Sequence, residues 1–217
     1  NTKLLCCQSN TSATEGAVKP GAITATNAVA NNFNPFITDI NAVRGQETGY
    51  CTLNPLYGDL TLSNGNLDAT APGQWDGSAG TIGMSSGRWY WEIDNVVGNE
   101  LVVGIIRAGI PTITWNTTYG YAAELGYFYP AAGGAAYGAA WTTGDVIGIA
   151  FDADNGSLTF YKNGISQGVA ATGLTDGLYL PSVVINGSSR SCSINFGQKP
   201  FKFPPPDGFQ TLNFAAI

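Results

Sequence analysis

The sequence predicts an all-β protein of two antiparallel sheets packed face to face, and three observations carry that prediction. Charged side chains are scarce: 9 Lys or Arg and 15 Asp or Glu make up 11% of 217 residues, against about 25% in an average chain, and helices draw heavily on Glu, Lys and Arg. Gly and Pro together account for 40 of the 217 residues, about half as many again as usual, and they are spread without a collagen period. From Tyr50 onward, brief apolar alternations are broken by turn dipeptides, which is the strand and hairpin signal. Hydrophobic residues at 44% and a mean hydropathy of +0.03 are enough for a packed core and exclude wholesale disorder.

The elements follow in chain order. Residues 1–47 read as an N-terminal strand and connector. Thr2 to Ser9 resembles the closing strand of something earlier in a longer modular chain, and Asn10 to Thr48 is Ala, Thr, Asn and Gly with few large apolar residues. The cluster Phe33-Asn34-Pro35-Phe36 is expected to pin this connector to the next domain, since two aromatic rings would otherwise stand exposed. The sandwich is placed at 48–205. Its first hairpin is Leu60 to Ser63, then Asn64-Gly65, then Asn66-Leu67, because Asn-Gly readily takes the positive φ angles of a type I′ turn. Arg88 to Ile93 alternates with period two, putting Trp89, Trp91 and Ile93 on one face and Arg88, Tyr90 and Glu92 on the other. Leu101 to Ile106 and Val146 to Phe151 are short apolar runs suited to buried strands. Asn155-Gly156, Asn163-Gly164 and Asn186-Gly187 each separate two candidate strands. Tyr121 to Leu125, Ala131 to Ala140 and Val169 to Thr172 hold no apolar face beyond one helical turn, so almost no α-helix is expected. Residues 206–217 read as a C-terminal tail.

Several chemistries are excluded or disfavoured. A net charge of −6 and a pI near 4.4, with basic residues scattered singly, argue against a nucleic-acid partner and against attraction to anionic lipid. No apolar run approaches the ~20 residues of a spanning helix, so no membrane insertion is expected. With no histidine, Ser-His-Asp and Cys-His mechanisms are impossible, as are zinc sites that use His. The cysteines Cys6, Cys7, Cys51 and Cys192 show no Cys-x-x-Cys spacing. Buried thiols are the favoured reading, with disulfide pairing left open by spacing alone. No metal and no cofactor are expected.

Asp152-Ala153-Asp154-Asn155-Gly156 has the look of a calcium loop, but Ser157 and Asn163 stand where that loop needs Gly and Glu. A turn whose Asp and Asn side chains bond the local backbone is favoured instead. Paired carboxylates can hydrolyse glycosides, and Glu92, Asp94, Glu100, Glu124, Asp145, Asp152 and Asp154 are available. Acidic residues are mostly solvated surface, however, and catalysis of any kind is not expected. The Asn-x-Ser/Thr sequons at Asn10, Asn116, Asn155 and Asn186 follow from the composition itself.

Three ordered blocks resemble SPRY domains, which have a concanavalin-like β-sandwich. Gly87-Arg88-Trp89-Tyr90-Trp91-Glu92-Ile93 is similar to the family's strand signature. Gly144 to Asp152 followed by Asn155 to Gly164 resembles its most specific block. Leu180-Pro181-Ser182-Val183, Asn195-Phe196-Gly197-Gln198 and Pro200-Phe201 resemble its closing strands. The connector resembles segments in tail and surface proteins of marine bacteriophages. The first resemblance implies a bent sandwich that recognises peptides or protein surfaces through loops at one end, with Asp145 at a strand entry as one of its structural residues.

The candidate binding residues are Trp115, Tyr119, Tyr121, Tyr127, Tyr129, Tyr137 and Trp141, gathered among Gly and Ala with little charge. Tyr and Trp give large contact area with few rotatable bonds. Against this, the alternation around Tyr127 and Tyr129 suggests that half or more of the rings fill the core. The resulting expectation is a non-catalytic recognition or decoration module of a phage virion, on a tail fibre or capsid surface, at the virion surface or extracellular. It would bind a host-surface glycan or protein, with other virion proteins or its own copies as partners. A purely structural assembly module is the alternative, and an acidic-pair glycan hydrolase is the third reading.

Overall fold

The computed structural model describes residues 49–130 and 133–214. The connector, Cys6, Cys7 and the Phe33 to Phe36 cluster lie outside the described residues. Fifteen strands are present among the described residues, and no helix. In chain order the first eight are β1 (Leu53–Gly58), β2 (Thr61–Ser63), β3 (Asp68–Thr70), β4 (Asp76–Gly80), β5 (Arg88–Val97), β6 (Leu101–Arg107), β7 (Tyr119–Ala122) and β8 (Tyr127–Pro130). They are followed by β9 (Ala135–Ala136), β10 (Ile147–Asp152), β11 (Ser157–Lys162), β12 (Ile165–Ala171), β13 (Tyr179–Ile185), β14 (Ser191–Asn195) and β15 (Gln210–Thr211). One sheet runs β12-β11-β10-β5-β14-β3-β2, and the other runs β1-β4-β13-β6-β7-β8-β9. Both paths are antiparallel at every step, and only β15 pairs in parallel, against β5.

Period-two alternation explains how one chain builds two apolar layers. On β6, Leu101, Val103 and Ile105 enter the core between the sheets, where Trp89, Trp91, Ile93, Ile149, Phe151 and Phe160 meet them. Val102 and Ile106 point the other way into a second, smaller cluster with Ala79, Ile113, Ala122, Leu180 and Val184. The alternation expected for β5 holds, with Trp89, Trp91 and Ile93 facing the core.

The Asn-Gly turns divide into two kinds. Asn163 (φ 49°) and Gly164 (φ 77°) form a two-residue turn between Lys162 and Ile165, as a type I′ turn requires. The first hairpin is looser: Ser63 pairs with Asp68, so four residues turn, and Asn64, Gly65 and Asn66 all have positive φ. The chain beyond 205, set apart as a tail in the sequence, carries β15 in its described part, and Leu212 is fully buried. There, Cys51 N–H donates to Leu212 O and Phe214 N–H to Gly49 O, with Tyr50 bridged to Asn213. The two ends of the described chain therefore run side by side.

Candidate functional site

The second apolar cluster lies on the outside of the β1-to-β9 sheet, and it exists because that face carries small residues. Ala79, Ser182, Gly104 and Gly120 stand opposite one another across four strands, and the row ends at Tyr129. The low row lets the β6–β7 connection, residues 108–118, lie across the sheet. Ile113 packs so closely on β4 that a Cβ on Gly77 would stand 2.5 Å from the Ile113 carbonyl oxygen. The connection is braced internally: Thr114 N–H donates to Thr117 Oγ1 at 2.9 Å, and the Thr118 hydroxyl donates to Thr114 O at 2.9 Å. It is tied down at its start by Ala108 N–H to Leu178 O at 2.8 Å and by the Tyr57 hydroxyl to Ile110 O.

This connection carries Trp115 over the face. Its ring lies 5.2 Å from Tyr129 and 6.2 Å from Trp75, at interplanar angles of 65° and 58°. Trp75 reaches it from a turn in which its own φ is +57°, a conformation that bulky residues rarely hold. The Asp76 carboxylate braces that turn by accepting Gly73 N–H at 2.6 Å. Tyr57 and Tyr127 flank the row, and all five rings are half-buried against the apolar cluster beneath. The result is an aromatic ridge with tilted rings. No hydrogen-bond partner exists among the described residues for the Trp75 and Trp115 indole N–H groups or for the Tyr127 and Tyr129 hydroxyls.

The seven residues singled out in the sequence therefore separate. Trp115, Tyr127 and Tyr129 come together on the ridge. Tyr121 and Trp141 are 0% and 1% exposed in the interior, where their rings pack 5.9 Å apart. The Tyr121 hydroxyl donates to Ala139 O, and burial, with smaller contributions from Tyr137 and Asp145, pushes its phenol up to about 12. Tyr137 packs against the same core beside Phe128 and Phe160, with its hydroxyl donating to Gly168 O. Tyr119 leans inward on Tyr179 at 6.1 Å. On β8, Phe128 enters the core, and Tyr127 and Tyr129 face outward. Trp75 and Tyr57 were not among the sequence candidates. Trp75 stands alone among turn residues, and nothing local indicates that Trp115 will arrive beside it.

Part of the outer face of the opposite sheet is covered. Residues 199–203 cross it, and Glu92, fully buried, holds them: Oε2 accepts Lys202 N–H at 2.8 Å, and Oε1 accepts Phe203 N–H at 2.9 Å and the Tyr90 hydroxyl at 3.2 Å. Phe201 stacks edge-on against Tyr90 at 5.0 Å. Most of the remaining acidic candidates are also engaged. Asp94 pairs with Lys202 at 3.2 Å, Asp145 with Lys162 at 3.3 Å, Asp152 with Arg88 at 3.0 Å, and Glu100 with Arg190. In the turn once compared with a calcium loop, Asp152 accepts Asn155 N–H at 3.0 Å and Asp154 accepts Gly87 N–H at 2.8 Å. Among the described residues no three His, Cys, Asp or Glu side chains are grouped as a metal would need. Cys51 and Cys192 are free, buried thiols, and burial pushes Cys51 up to about 11 and Cys192 further in the same direction.

A family model described as SPRY domain matches residues 88–199. That span includes Trp115, Tyr127 and Tyr129, and excludes Trp75. Ran-binding protein 10 of Danio rerio is 41% identical over 134 residues, which is 58% of this chain and 22% of that protein. Ran-binding protein 9 of Xenopus tropicalis is 32% identical over 166 residues, 68% of this chain and 30% of that protein. The E3 ubiquitin-protein ligase RKP of Arabidopsis thaliana is 45% identical over 83 residues, 36% of this chain and 6% of that protein. The chain thus matches less than a third of the length of each of these relatives. The crystal structure of the SPRY domain of human HERC1 superimposes with a TM-score of 0.61 at 20% identity, covering 68% of this chain and 99% of that one. At that identity the likeness speaks for the fold alone.

Proposed function

The chain belongs to the SPRY domain family, and from that premise we propose that it is a non-catalytic protein-recognition module whose contact surface is the aromatic ridge of Trp75, Trp115, Tyr127 and Tyr129. One observation carries this reading. The β6–β7 connection places Trp115 between Trp75 and Tyr129, three half-buried rings in mutual contact on one outer face. Aromatic residues of this kind dominate the energetics of protein interfaces. The carboxylates that a glycan hydrolase would need are mostly engaged with cations or backbone amides, and we assign no catalytic role.

The setting we propose is the surface of a bacteriophage particle, on a tail fibre or capsid. The support for it is the resemblance of the connector, since the relatives named above match the sandwich and come from animals and a plant. An assembly role among neighbouring copies has one observation in its favour: Leu56, on the edge strand β1, is 93% exposed.

Two experiments test the proposal. Selection of a displayed linear peptide library on the protein should enrich binders that are lost with the Trp115→Ala variant, and equal enrichment on both proteins would overturn the ridge. Recovery of the chain from purified phage particles at stoichiometric level is the expected outcome for the setting, and its absence from particles would remove it.

A further inference from the structure

The sheet that does not carry the ridge ends in an edge unlike the others. β12 reads Ile165-Ser166-Gln167-Gly168-Val169-Ala170-Ala171, seven residues with no ionisable side chain and no proline, and among the described residues no strand pairs along its far side. The other edge strands are poor templates for pairing. β2 and β9 are three and two residues long, and β1 holds Pro55 and slips register against β4 between Leu53 and Gly58. On β12, Ile165 and Val169 stand 70% and 59% exposed. A long, uncharged, partly apolar edge is a ready template for another strand, and proteins commonly blunt such edges with lysine, proline or a bulge.

β12 has neither lysine nor proline, and its middle is closed by a bulge that side chains hold in place. Thr159 faces Val169 and Tyr161 faces Ser166, so β12 carries one residue more than β11 across that stretch. The extra length falls at Gln167 and Gly168, where Gly168 has a φ of +91°. Both main-chain groups of Gly168 are taken: its N–H donates to Ser166 Oγ at 3.1 Å, and its carbonyl accepts the Tyr137 hydroxyl. That hydroxyl also accepts Phe160 N–H at 3.3 Å, so it is wedged into the β11–β12 ladder where the register breaks. Gln167 braces the same spot, with Nε2 donating to Ile165 O and Oε1 accepting Ala139 N–H, both at 2.9 Å.

From these contacts we infer that β12 is a guarded interface for a second copy of this chain, held shut at Gly168 by Tyr137 and Ser166. The occupant follows from the edge itself. Two copies of one strand pair antiparallel about a two-fold axis, so that each contact is made twice. A chain of net charge −6 meets its own copy with least repulsion where the paired strand carries no charge. Released from its two partners, Gly168 returns to the pleat and offers its N–H and carbonyl to the incoming strand, the main-chain pairing by which exposed sheet edges recruit strands. β12 lies on the sheet opposite the ridge, so the inference is independent of the recognition role.

Sedimentation of the full chain, with hydrogen exchange along β12 followed against protein concentration, tests it. In the native chain, exchange along β12 should not change with concentration. The Tyr137→Phe, Ser166→Ala double variant keeps the aromatic ring that packs on Phe128 and Phe160. Its self-association should be about tenfold tighter or more, with the β12 amides gaining protection as pairs form. Adding Val169→Lys, a charge on the open edge, should return that variant to the monomer. Ser166→Ala alone alters only an exposed residue of the hairpin and should give the same effect more weakly, which decides the matter should the double variant fail to fold. Folded variants that stay monomeric overturn the inference, as does association that survives Val169→Lys. Concentration-dependent protection of β12 in the native chain would show that the edge is not guarded. A variant that stays monomeric yet binds an unrelated extended peptide along β12 would refute the second copy as its occupant.

Discussion

Replacing Glu92 with Gln isolates a fully buried carboxylate that organises a long-range contact. The side chain keeps its size, so packing against Tyr90 and Phe201 is preserved. What changes is the match to the amides of Lys202 and Phe203, which donate to different oxygens at 2.8 and 2.9 Å. Hydrogen bonds to a charged group contribute about 1.5–3 kcal/mol each, and neutral ones about 1 kcal/mol. Gln offers one oxygen, so one amide keeps a weakened bond while the other meets an NH2 group and stays buried without an acceptor, at about 1–3 kcal/mol. The expected loss is roughly 2–4 kcal/mol of unfolding free energy, read as a lower urea midpoint at unchanged slope. Hydrogen exchange should show faster exchange at Lys202 and Phe203 than at the core amides of β10. A loss below about 0.5 kcal/mol, the usual scatter of a surface substitution, with both amides still protected, would refute the assignment of Glu92 as the anchor of residues 199–203.

Other outcomes follow from the same structure. Ser182 is buried with its hydroxyl unpartnered, so Ser182→Ala should leave stability unchanged or raise it by about 1 kcal/mol; a clear loss on thermal unfolding would reveal a partner for that hydroxyl. Gly164→Ala combines a φ of +77° with a Cβ 2.6 Å from the Phe203 ring, and should cost about 1–3 kcal/mol in the same measurement. Burial would raise the Asp145 and Asp152 carboxyls, but it is outweighed, by Thr142 N–H, Asn163 and Lys162 for Asp145 and by Asn155 and Arg88 for Asp152, so both are held below the ordinary range. Their stabilisation is therefore fully present above the unfolded value of about 3.9 and lost as pH falls through the lower folded values. Urea midpoints should drop on acidification to about pH 3, less steeply in the Asp145→Asn, Asp152→Asn double variant; an equally steep drop there would count against the two pairs. Finally, of the described cysteines, Cys51 and Cys192 should both be unreactive in the native state and react on unfolding, as followed with a chromogenic thiol reagent in a Cys6→Ser, Cys7→Ser variant.

The sequence showed most of the architecture because strand signals are local. Trp89, Trp91 and Ile93 could be assigned to one face from spacing alone, and Asn163-Gly164 marked its turn. The same spacing left Tyr90 and Glu92 facing outward, which is correct, yet could not show that they are buried, because the cover comes from residues more than a hundred positions away. The described part of the segment beyond 205 depends on distant residues in the same way. Its β15 pairs with Trp89 and Tyr90 of β5, the stretch that β14, paired with β5 from Glu92 onward, leaves open. For the site, composition picked out the aromatic stretch from Trp115 to Trp141 but could not sort it. Whether Tyr127 or Phe128 enters the core is a question of strand phase, and phase is set by the partner strand β7 through Tyr121 and Phe128. Trp75 was out of reach altogether, since its role arises from a tertiary contact with a connection that begins over thirty residues later.

The side-by-side ends of the described chain have a mechanical consequence. Gly49 and Phe214, Tyr50 and Asn213, and Cys51 and Leu212 are matched across a short antiparallel seam. Tension that pulls the two ends apart acts across this seam and opens its bonds one after another, like a zipper. Tension transmitted through the Gly49 end alone, against a partner held at the ridge, instead loads β1 along its length against its antiparallel pairing with β4. The domain should therefore yield at low force when stretched between its flanks and hold at much higher force when hung from one of them.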